Sequence, residues 1–317
     1  MALLKLKPFL KINSPILTKA LTRNLEATSI EQSAPQKFTL DDKVAVVTGG
    51  ASGIGFAIAK EFLKNGLLAV NILDIDKRKL LTSTRTLKQE FGEDRVISSE
   101  VDVADAEQMD NILRNTSVDF EGIDIIVNNA GVLDDTNWEN QLDTNIRGSV
   151  IGTLLGMQYM AKTSSGEGGI IVNIGSSMSI TPACGFPIHT LTQFGIAGFT
   201  RALGSSKLYE RTGVKIFGFC PGLTDTNALK QLEEKAINHN FVGEFEEEMK
   251  DVNLQDPVNV AKGLVEVLGD AQPGSIWIVE NNKSPFELEF PKIIERKKIE
   301  REETQQSATD TTQAKAQ

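Results

Sequence analysis

The sequence predicts a single α/β domain in which helices cover both faces of a parallel sheet, a doubly wound fold. Short apolar runs alternate with amphipathic helical patterns from Lys43 onward. The runs are continuously apolar, as expected for strands that are buried on both faces, whereas half-exposed strands alternate in polarity. A glycine-rich turn separates the first run from the first helical pattern. Together these observations favour a doubly wound domain over residues 43–290.

Seven apolar runs are expected to form the sheet. They lie at residues 43–47, 69–73, 96–101, 124–128, 169–175, 214–220 and 275–279. A segment long enough to cross the sheet as a helix separates each run from the next, so the strands are predicted to run parallel. The predicted fold is therefore a Rossmann-type domain with a seven-stranded parallel sheet flanked by helices.

The two ends of the chain differ from the domain in composition. The first 25 residues contain five basic residues and no acidic one, and the apolar residues after Pro15 share one helical face. This pattern is typical of a mitochondrial presequence, and a disordered basic arm explains it equally well. Residues 1–42 are expected to lie outside the domain, in a mitochondrial or cytoplasmic protein. Residues 291–317, charged and then rich in Ser, Thr and Gln, predict a disordered tail.

Composition excludes several classes of function. The chain carries 33 Lys and Arg against 43 Asp and Glu, a net charge of −10, whereas a nucleic-acid-binding surface needs excess positive charge. No apolar run approaches the ~18 residues of a membrane-spanning helix. The two cysteines, Cys184 and Cys220, cannot form a disulfide framework, which indicates a reducing compartment. His239 has no second His or Cys at ligand spacing, so no metal site is expected.

Three glycines and one aspartate predict a dinucleotide site. Gly49, Gly53 and Gly55 follow the first predicted strand and precede a helix. Without side chains, they allow backbone amides and the helix N-terminus to approach a pyrophosphate. The second predicted strand leads into Asp74, where a carboxylate accepts hydrogen bonds from an adenosine ribose and repels a 2′-phosphate. The pattern predicts NAD rather than NADP, and the alternative for Asp74 is an ordinary loop carboxylate.

Further motifs occur in the order in which one enzyme family carries them. TGGASGIG at 48–55, NNAG at 128–131, Asp102-Val103 and Pro221-Gly222 followed by Thr224 resemble the cofactor-binding motifs of the short-chain dehydrogenase/reductase family. Residues 274–282 are most similar to the branch that contains insect alcohol dehydrogenases and 15-hydroxyprostaglandin dehydrogenases. The resemblance implies a cofactor site formed by Thr48, Gly49, Gly53, Ile54, Gly55, Asp74, Asp102, Val103, Asn129, Ala130, Gly131, Gln193, Pro221, Gly222 and Thr224.

The resemblance also implies a catalytic tetrad of Asn, Ser, Tyr and Lys that acts on a secondary alcohol or ketone. Asn145 and Ser176 match its first two members. The family's Tyr-x-x-x-Lys motif is replaced by His-Thr-Leu-Thr-Gln, so His189 and Gln193 stand at the Tyr and Lys positions. The two tyrosines of the chain lie far from this motif in sequence. Both members of the pair that handles the proton are therefore changed.

This altered tetrad leaves two functions open. In the family, Tyr exchanges a proton with the substrate oxygen during hydride transfer, and Lys lowers the pKa of that Tyr. Imidazole titrates near pH 6.5 without help from a cation, and Gln193 can still hydrogen-bond the nicotinamide ribose, which describes a His-based proton shuttle. Imidazole, however, reaches roughly 2 Å less far than phenol, and misplacement by ~1 Å costs about 10²-fold in rate. The alternative is a pseudoenzyme that binds NAD as a sensor or interaction protein.

Other residues near the motif have expected places. Cys184 lies between Ser176 and His189 and is a candidate to line the pocket or to pair with His189, whereas Cys220 is expected to pack as a small apolar residue. The acidic segment 227–251 falls where the family places a substrate lid, and a solvated helix face explains it equally well.

A homodimer or homotetramer is expected by analogy with the family, which associates through the helices that follow strands four and five. Residues 137–162 and 187–211 would form that surface. Leu154, Leu155 and Met157 are its candidate packing residues.

Overall fold

A computed structural model describes residues 39–238, 240, 242–250 and 253–290. In this part of the chain, eight strands form one sheet in the order β3-β2-β1-β4-β5-β6-β7-β8. The strands are β1 Val44–Thr48, β2 Ala69–Asp74, β3 Val96–Glu100, β4 Ile125–Asn128, β5 Gly169–Ile174, β6 Val214–Pro221, β7 Ile276–Val279 and β8 Phe286–Glu287. β1 to β7 are all parallel. The predicted α/β fold and its seven parallel strands are confirmed.

Helices cover both faces of the sheet, as the continuous apolar strands require. The α-helices are α1 Gly53–Lys64, α2 Lys77–Phe91, α3 Ala106–Asp119, α4 Trp138–Leu142, α5 Ser149–Met160, α6 Pro187–Leu203, α7 Ser206–Thr212, α8 Leu232–Lys235, α9 Val242–Met249 and α10 Pro257–Val267. A π-helical segment, Asp143–Gly148, joins α4 to α5. Successive side chains of one strand enter different cores: Ala45 and Val47 belong to the core on one face, and Val46 belongs to the core on the other.

The sequence does not reveal the eighth strand. β8 is two exposed residues that pair antiparallel with β7, Phe286 with Ile278 and Glu287 with Trp277. A strand this short carries no apolar run or alternation that sequence patterns detect. β8 covers the outer edge of β7, which would otherwise expose unpaired backbone groups.

The N-terminal boundary of the domain lies before Lys43. Leu40 is buried in the core, and Asp41 forms an isolated antiparallel bridge with Leu67. Residues 39–42 therefore belong to the fold, although they were expected to lie outside it. The rest of the predicted presequence or basic arm, residues 1–38 of the predicted 1–42, and the predicted tail, residues 291–317, lie outside the described residues.

The residues predicted to pack between subunits are buried within the chain instead. Leu154, Leu155 and Met157 lie on α5 and belong to the same core as Ile126 and Ile171 of the sheet. α5 is apolar on all sides because it lies between the sheet and neighbouring helices, so its sequence does not distinguish an inner face from an outer one. The assignment of these three residues to an oligomer surface is wrong.

A buried polar network connects the sheet to the helix that carries His189. The Asn173 side chain on β5 accepts hydrogen bonds from Asn128 Nδ2 (2.8 Å) and Thr153 Oγ1 (3.0 Å) and donates one to Thr200 Oγ1 on α6 (3.0 Å). These hydrogen bonds replace ones that water would otherwise supply, although Asn128 Oδ1 has no partner among the described residues. The network therefore fixes the distance between α6 and the carboxyl ends of β4 and β5.

Candidate active site

The predicted site residues meet at the carboxyl ends of the parallel strands, where α/β sheets bind ligands. A cavity of about 170 Å³ opens there. Many of the residues predicted from the sequence line it, namely Ile54, Asn129, Ala130, Gly131, Asn145, Ser176, His189, Gln193, Pro221, Gly222 and Thr224. The others lie in the turn beneath it or along the adjoining edge of the sheet: Thr48, Gly49, Gly53, Gly55, Asp74, Asp102 and Val103.

Gly55 and Gly49 are in contact across the glycine-rich turn. A Cβ atom on Gly55 would lie 2.3 Å from the Gly49 carbonyl oxygen and 2.5 Å from Asn129 Nδ2. Gly49 has a φ of 63°, in the left-handed region that favours glycine. Ser52 precedes α1 without capping it through its side chain. The Ser52 side chain therefore does not occupy the first backbone N–H groups of α1. Such N–H groups at a helix N-terminus can bind an anion.

Thr48 and Asn129 hold the ends of β1 and β4 together. Thr48 Oγ1 accepts hydrogen bonds from the backbone N–H groups of Asn129 and Ala130, both at 2.9 Å. Asn129 Nδ2 donates to the Thr48 carbonyl oxygen at 2.9 Å. Both side chains therefore fix the position of the glycine-rich turn relative to the end of β4.

Asp74 stands at the end of β2 beside the same turn. One carboxylate oxygen accepts from the Ala51 N–H (3.1 Å) and the other from the Asp76 N–H (3.0 Å). Asp102, after β3, is exposed, whereas the Val103 side chain is buried against Gly148. Carboxylates and an apolar side chain thus border the edge where the resemblance places an adenosine.

Asn145 lies in the π-helical segment, with its side chain fully engaged. Its Oδ1 accepts from the Val132 N–H (2.8 Å), and its Nδ2 donates to the Val132 carbonyl oxygen (2.9 Å) and to Thr192 Oγ1 (3.1 Å). Ser176 begins the turn after β5, where its Oγ accepts from the Met178 N–H at 3.2 Å. The Ser176 hydroxyl therefore keeps its own proton to donate into the cavity.

His189 and Gln193 occupy successive turns of α6 and face the same cavity. Burial lowers the pKa of His189 to about 4, against smaller opposing effects of the Asp135 charge and the Val132 backbone. Among the described residues, neither His189 Nδ1 nor Gln193 Oε1 has a hydrogen-bond partner, although both atoms are buried. Gln193 Nε2 donates to Thr192 Oγ1 at 3.2 Å. This contact uses the amide nitrogen and leaves the amide oxygen, Oε1, available as an acceptor. Both atoms are thus available to form hydrogen bonds with a molecule bound in the cavity.

Sequence reasoning missed the residue that holds the loop after β6. Gln255 is fully buried, and its Nε2 donates to the Val279 carbonyl oxygen (2.8 Å) and to Thr224 Oγ1 (3.3 Å). Its backbone pairs with Leu223 and Asp225 at 2.9 Å each. Gln255 thereby fixes the Pro221–Thr224 side of the cavity. Nothing in a single polar residue before a helix signals this role in the sequence.

The helix of the predicted lid segment, α9, packs its apolar side against residues next to the cavity. Val242 and Phe245 of α9 are buried in a small cluster with Phe186, and the rings of Phe245 and Phe186 meet edge to face at 5.2 Å. Glu246 and Glu247 on the same helix are exposed. The solvated helix face is therefore observed for these two glutamates, and the substrate lid stays a prediction.

The two cysteines differ in burial, and only one of them lies where it was predicted. Cys184 is exposed and does not line the cavity, so its predicted place in the pocket is wrong. Cys220 is buried, and burial raises the pKa of its thiol to about 11, which fits a packing role. In the described part of the chain, no cluster of His, Cys, Asp or Glu could hold a metal ion. His239 lies outside the described residues.

No helix among the described residues is long and apolar enough to cross a membrane.

Comparison with known proteins agrees with the fold and the motifs. The family model for short chain dehydrogenases matches residues 43–237. The chain is 34% identical over 248 residues to 15-hydroxyprostaglandin dehydrogenase [NAD(+)] of Bos taurus, covering 77% of this chain and 93% of that protein. It is 30% identical to alcohol dehydrogenase 1 of Ceratitis cosyra, covering 74% and 91%. Levodione reductase shares the fold with a TM-score of 0.66 at 21% identity, covering 76% of this chain and 97% of that chain. The chain therefore belongs to the short-chain dehydrogenase family of oxidoreductases, whose members bind nicotinamide cofactors.

Proposed function

We propose that the protein oxidises a neutral secondary alcohol to a ketone with NAD⁺, using His189 as the proton acceptor, at a rate below that of a Tyr–Lys site. One observation carries the proposal. Ser176, His189 and Gln193 line one cavity in which no other lining residue among those described is titratable. A donor, a neutral base and an acceptor thus share the place where the family performs hydride transfer.

The residues at the cofactor turn fit NAD. The open amides of α1 suit a pyrophosphate, and the unpartnered Gln193 Oε1 suits a ribose hydroxyl. The Asp74 carboxylate would accept from an adenosine ribose and repel a 2′-phosphate. The bovine relative is an NAD(+)-specific dehydrogenase by name, which supports the same choice.

Bound NAD⁺ supplies the hydride acceptor for the reaction. The Ser176 hydroxyl donates a hydrogen bond to the substrate oxygen and orients the alcohol. His189 takes the proton of the alcohol O–H as the C–H hydrogen leaves with its electron pair, so the C–O bond becomes a carbonyl. His189 is neutral at pH 7 because burial lowers its pKa to about 4, and it needs no neighbouring cation. Gln193 in place of Lys is therefore compatible with this chemistry.

Two properties of His189 reduce the rate. A base with a pKa of about 4 drives proton removal weakly at pH 7, since the best catalytic bases have a pKa near the working pH. Imidazole is also shorter than phenol by roughly 2 Å, and small displacements are costly. We expect turnover that is real but slow.

The cavity supports a neutral, apolar substrate. Leu133, Met178, Leu223 and Leu229 line it, and none of its described lining residues is Asp, Glu, Lys or Arg. A charged group next to the hydroxyl would lose its hydration there without gaining a partner. The substrate class is thus a secondary alcohol on an apolar body.

A second candidate function is NAD binding without turnover. The low pKa of His189, which makes it a weak base at pH 7, and the short reach of its imidazole favour it. The test is NADH formation over a panel of neutral secondary alcohols, including retinoids and hydroxy lipids, alongside thermal shift with NAD and NADP. NADH formation supports the enzyme. A thermal shift with NAD, without NADH formation from any alcohol, would support the second candidate, a protein that binds NAD without turnover.

The pH dependence of alcohol oxidation should follow His189. The base works when it is unprotonated, so kcat/KM is expected to be flat through neutral pH and to fall on the acid side with an apparent pKa of about 4. A stopped-flow series by pH jump measures this without prolonged exposure to acid. An acid limb near the ordinary histidine pKa, ~6.5, would contradict a buried imidazole.

The charge of Asp74 should determine cofactor preference. Asp74→Asn removes the repulsion of a 2′-phosphate and keeps a side-chain acceptor for Ala51 N–H. Affinity for NADP is expected to rise about 10-fold or more, a change of ~1.4 kcal/mol, as measured by calorimetry. Asp76→Asn, a nearby carboxylate at the start of α2, is the control and should leave the preference unchanged. Tighter binding of NADP than NAD by the unchanged protein would refute the assignment.

The outer face of α6 supports a homodimer or larger homo-oligomer. Leu191 is 60% exposed and Phe194 43% exposed, and a Cβ on Gly198 would meet nothing within 4 Å. These residues lie on one side of α6 and leave an apolar face for a second copy.

Gly198→Arg is expected to convert this oligomer to a monomer. The substitution has room within its own chain and favours the helix, so only a partner surface would be disturbed. Light scattering after size exclusion measures the mass. Gly243→Arg, on α9 with the same open surroundings, is the control. An unchanged oligomer in Gly198→Arg would show that association uses another face.

A further inference from the structure

A buried carboxylate, Asp135, lies at the start of the helix that carries His189. Asp135 is completely buried. One of its oxygens accepts from the His189 N–H and from Gln141 Nε2, and the other accepts from the Ile188 N–H, each at 2.8 Å. All three donors are N–H groups, which is the pattern of an ionised carboxylate.

Asp135 caps α6 from a distant part of the chain. The residue in the capping position, Phe186, has no side-chain acceptor, and Pro187 supplies the first helical residue. Asp135, located in the turn Asp135–Asn137 after β4, accepts from the second and third residues of the helix instead. The third residue is His189 itself. The carboxylate therefore fixes the backbone from which the imidazole extends.

Gln141 holds this carboxylate in place. It is completely buried on α4, donates to Asp135, and accepts from the Asp134 N–H at 2.7 Å. Asp134 directs its own carboxylate away from the site, to the Thr136 hydroxyl (2.6 Å) and backbone N–H (3.2 Å). The neighbouring aspartates thus have different roles, and Asp135 alone is bonded to α6.

The charge of Asp135 acts on the His189 ring. Asp135 opposes the effect of burial on the imidazole by favouring its protonated form, because a nearby negative charge stabilises a cation. The residues described around the cavity carry no other charge that could do so. Asp135 and His189 Nδ1 are both buried, so the attraction is screened less than at a surface.

We propose that Asp135 is a positioning residue for the reaction, which holds the His189 backbone and stabilises the imidazolium formed when His189 takes the proton of the alcohol. This inference rests on the proposed function, because only a reaction gives His189 a proton. Asp135 does not touch the substrate and acts through His189.

Imidazole NMR tests the link between the two residues without turnover. In a His239→Gln background, His189 is the one histidine in the chain. Its titration is followed downward from pH 7.5 in the unchanged protein, Asp135→Asn and the control Asp134→Asn. The His189 pKa is expected to be lower in Asp135→Asn than in the other two. Equal values in all three overturn the proposal.

A second variant covers the case in which Asp135→Asn does not fold. Gln141→Met keeps the carboxylate and removes one of its three donors, so the charge is less neutralised and the His189 pKa is expected to rise. A variant that folds and leaves the His189 pKa unchanged overturns the proposal as well. Absence of NADH formation would reject the proposed function, while the titration would still decide whether Asp135 stabilises the imidazolium.

The kinetic counterpart separates charge from simple capping. With His189 present, Asp135→Asn is expected to lower kcat at least 10-fold with little change in KM. In a His189→Tyr, Gln193→Lys background the base is an anionic phenolate, which a negative charge opposes, so the same substitution should leave kcat unchanged or raise it. An equal loss in both backgrounds would mean that Asp135 only caps the helix and would overturn the electrostatic role.

Discussion

His189→Ala is expected to lower NADH formation from a secondary alcohol by about 10²-fold or more, the usual contribution of a positioned base. Binding of NAD should change little, because the cofactor turn and Asp74 are untouched. The imidazole lines the cavity with an unpartnered nitrogen, and no other described lining residue has an acidic or basic side chain. Initial rates and calorimetry with NAD measure the two effects separately.

The matched variant restores the family's pair. His189→Tyr together with Gln193→Lys supplies a phenol and the cation that lowers its pKa. A large gain in turnover would indicate that the site has decayed from a Tyr–Lys enzyme, whereas a loss would indicate a cavity adapted to histidine. An unchanged rate in His189→Ala would remove His189 from the reaction altogether.

Gly55→Ala is expected to abolish measurable NAD binding and to destabilise the domain. The new Cβ would lie 2.3 Å from the Gly49 carbonyl oxygen, a backbone atom that cannot move without opening the turn. Overpacking of this kind typically costs 1–3 kcal/mol or more. Chemical denaturation and calorimetry with NAD provide the two readouts.

Gly243→Ala serves as the control for Gly55→Ala. It lies on α9 with nothing within 4 Å of the new Cβ, so neither stability nor NAD affinity should fall. Retention of NAD binding by Gly55→Ala would show that the cofactor does not depend on the close contact between Gly49 and Gly55.

Much of the fold was predictable because the apolar pattern of the strands and helices and the glycine-rich turn are visible in the sequence. Ala45, Val46 and Val47 read as one apolar run since they enter cores on opposite faces of the sheet. The strand ends were predicted less accurately. Asp124 was predicted as the start of β4, but the strand begins at Ile125, and the Asp124 carboxylate accepts a hydrogen bond from the Val44 N–H at 2.9 Å. The two exposed residues of β8 leave no apolar signal at all.

The site was predictable where a motif gives the spacing and not where contacts come from distant segments. His189 and Gln193 share the cavity with Ser176, as their positions in the motif implied. Asp134 and Asp135 are adjacent residues of the same type, so the sequence does not distinguish their roles. Only the fold shows that Asp135 is the one buried against α6. Sequence proximity also misplaced Cys184, whose position between two site residues does not bring its exposed side chain into the cavity lining.

The most direct test is a crystal structure with NAD⁺ and an unreactive alcohol analogue. The central claim is that the His189 imidazole receives the substrate proton. It predicts a His189 ring nitrogen within about 2.6–3.2 Å of the analogue's oxygen, or joined to it by one ordered water. A separation too large for either arrangement, with the analogue seated beside Ser176 and the nicotinamide, would contradict it.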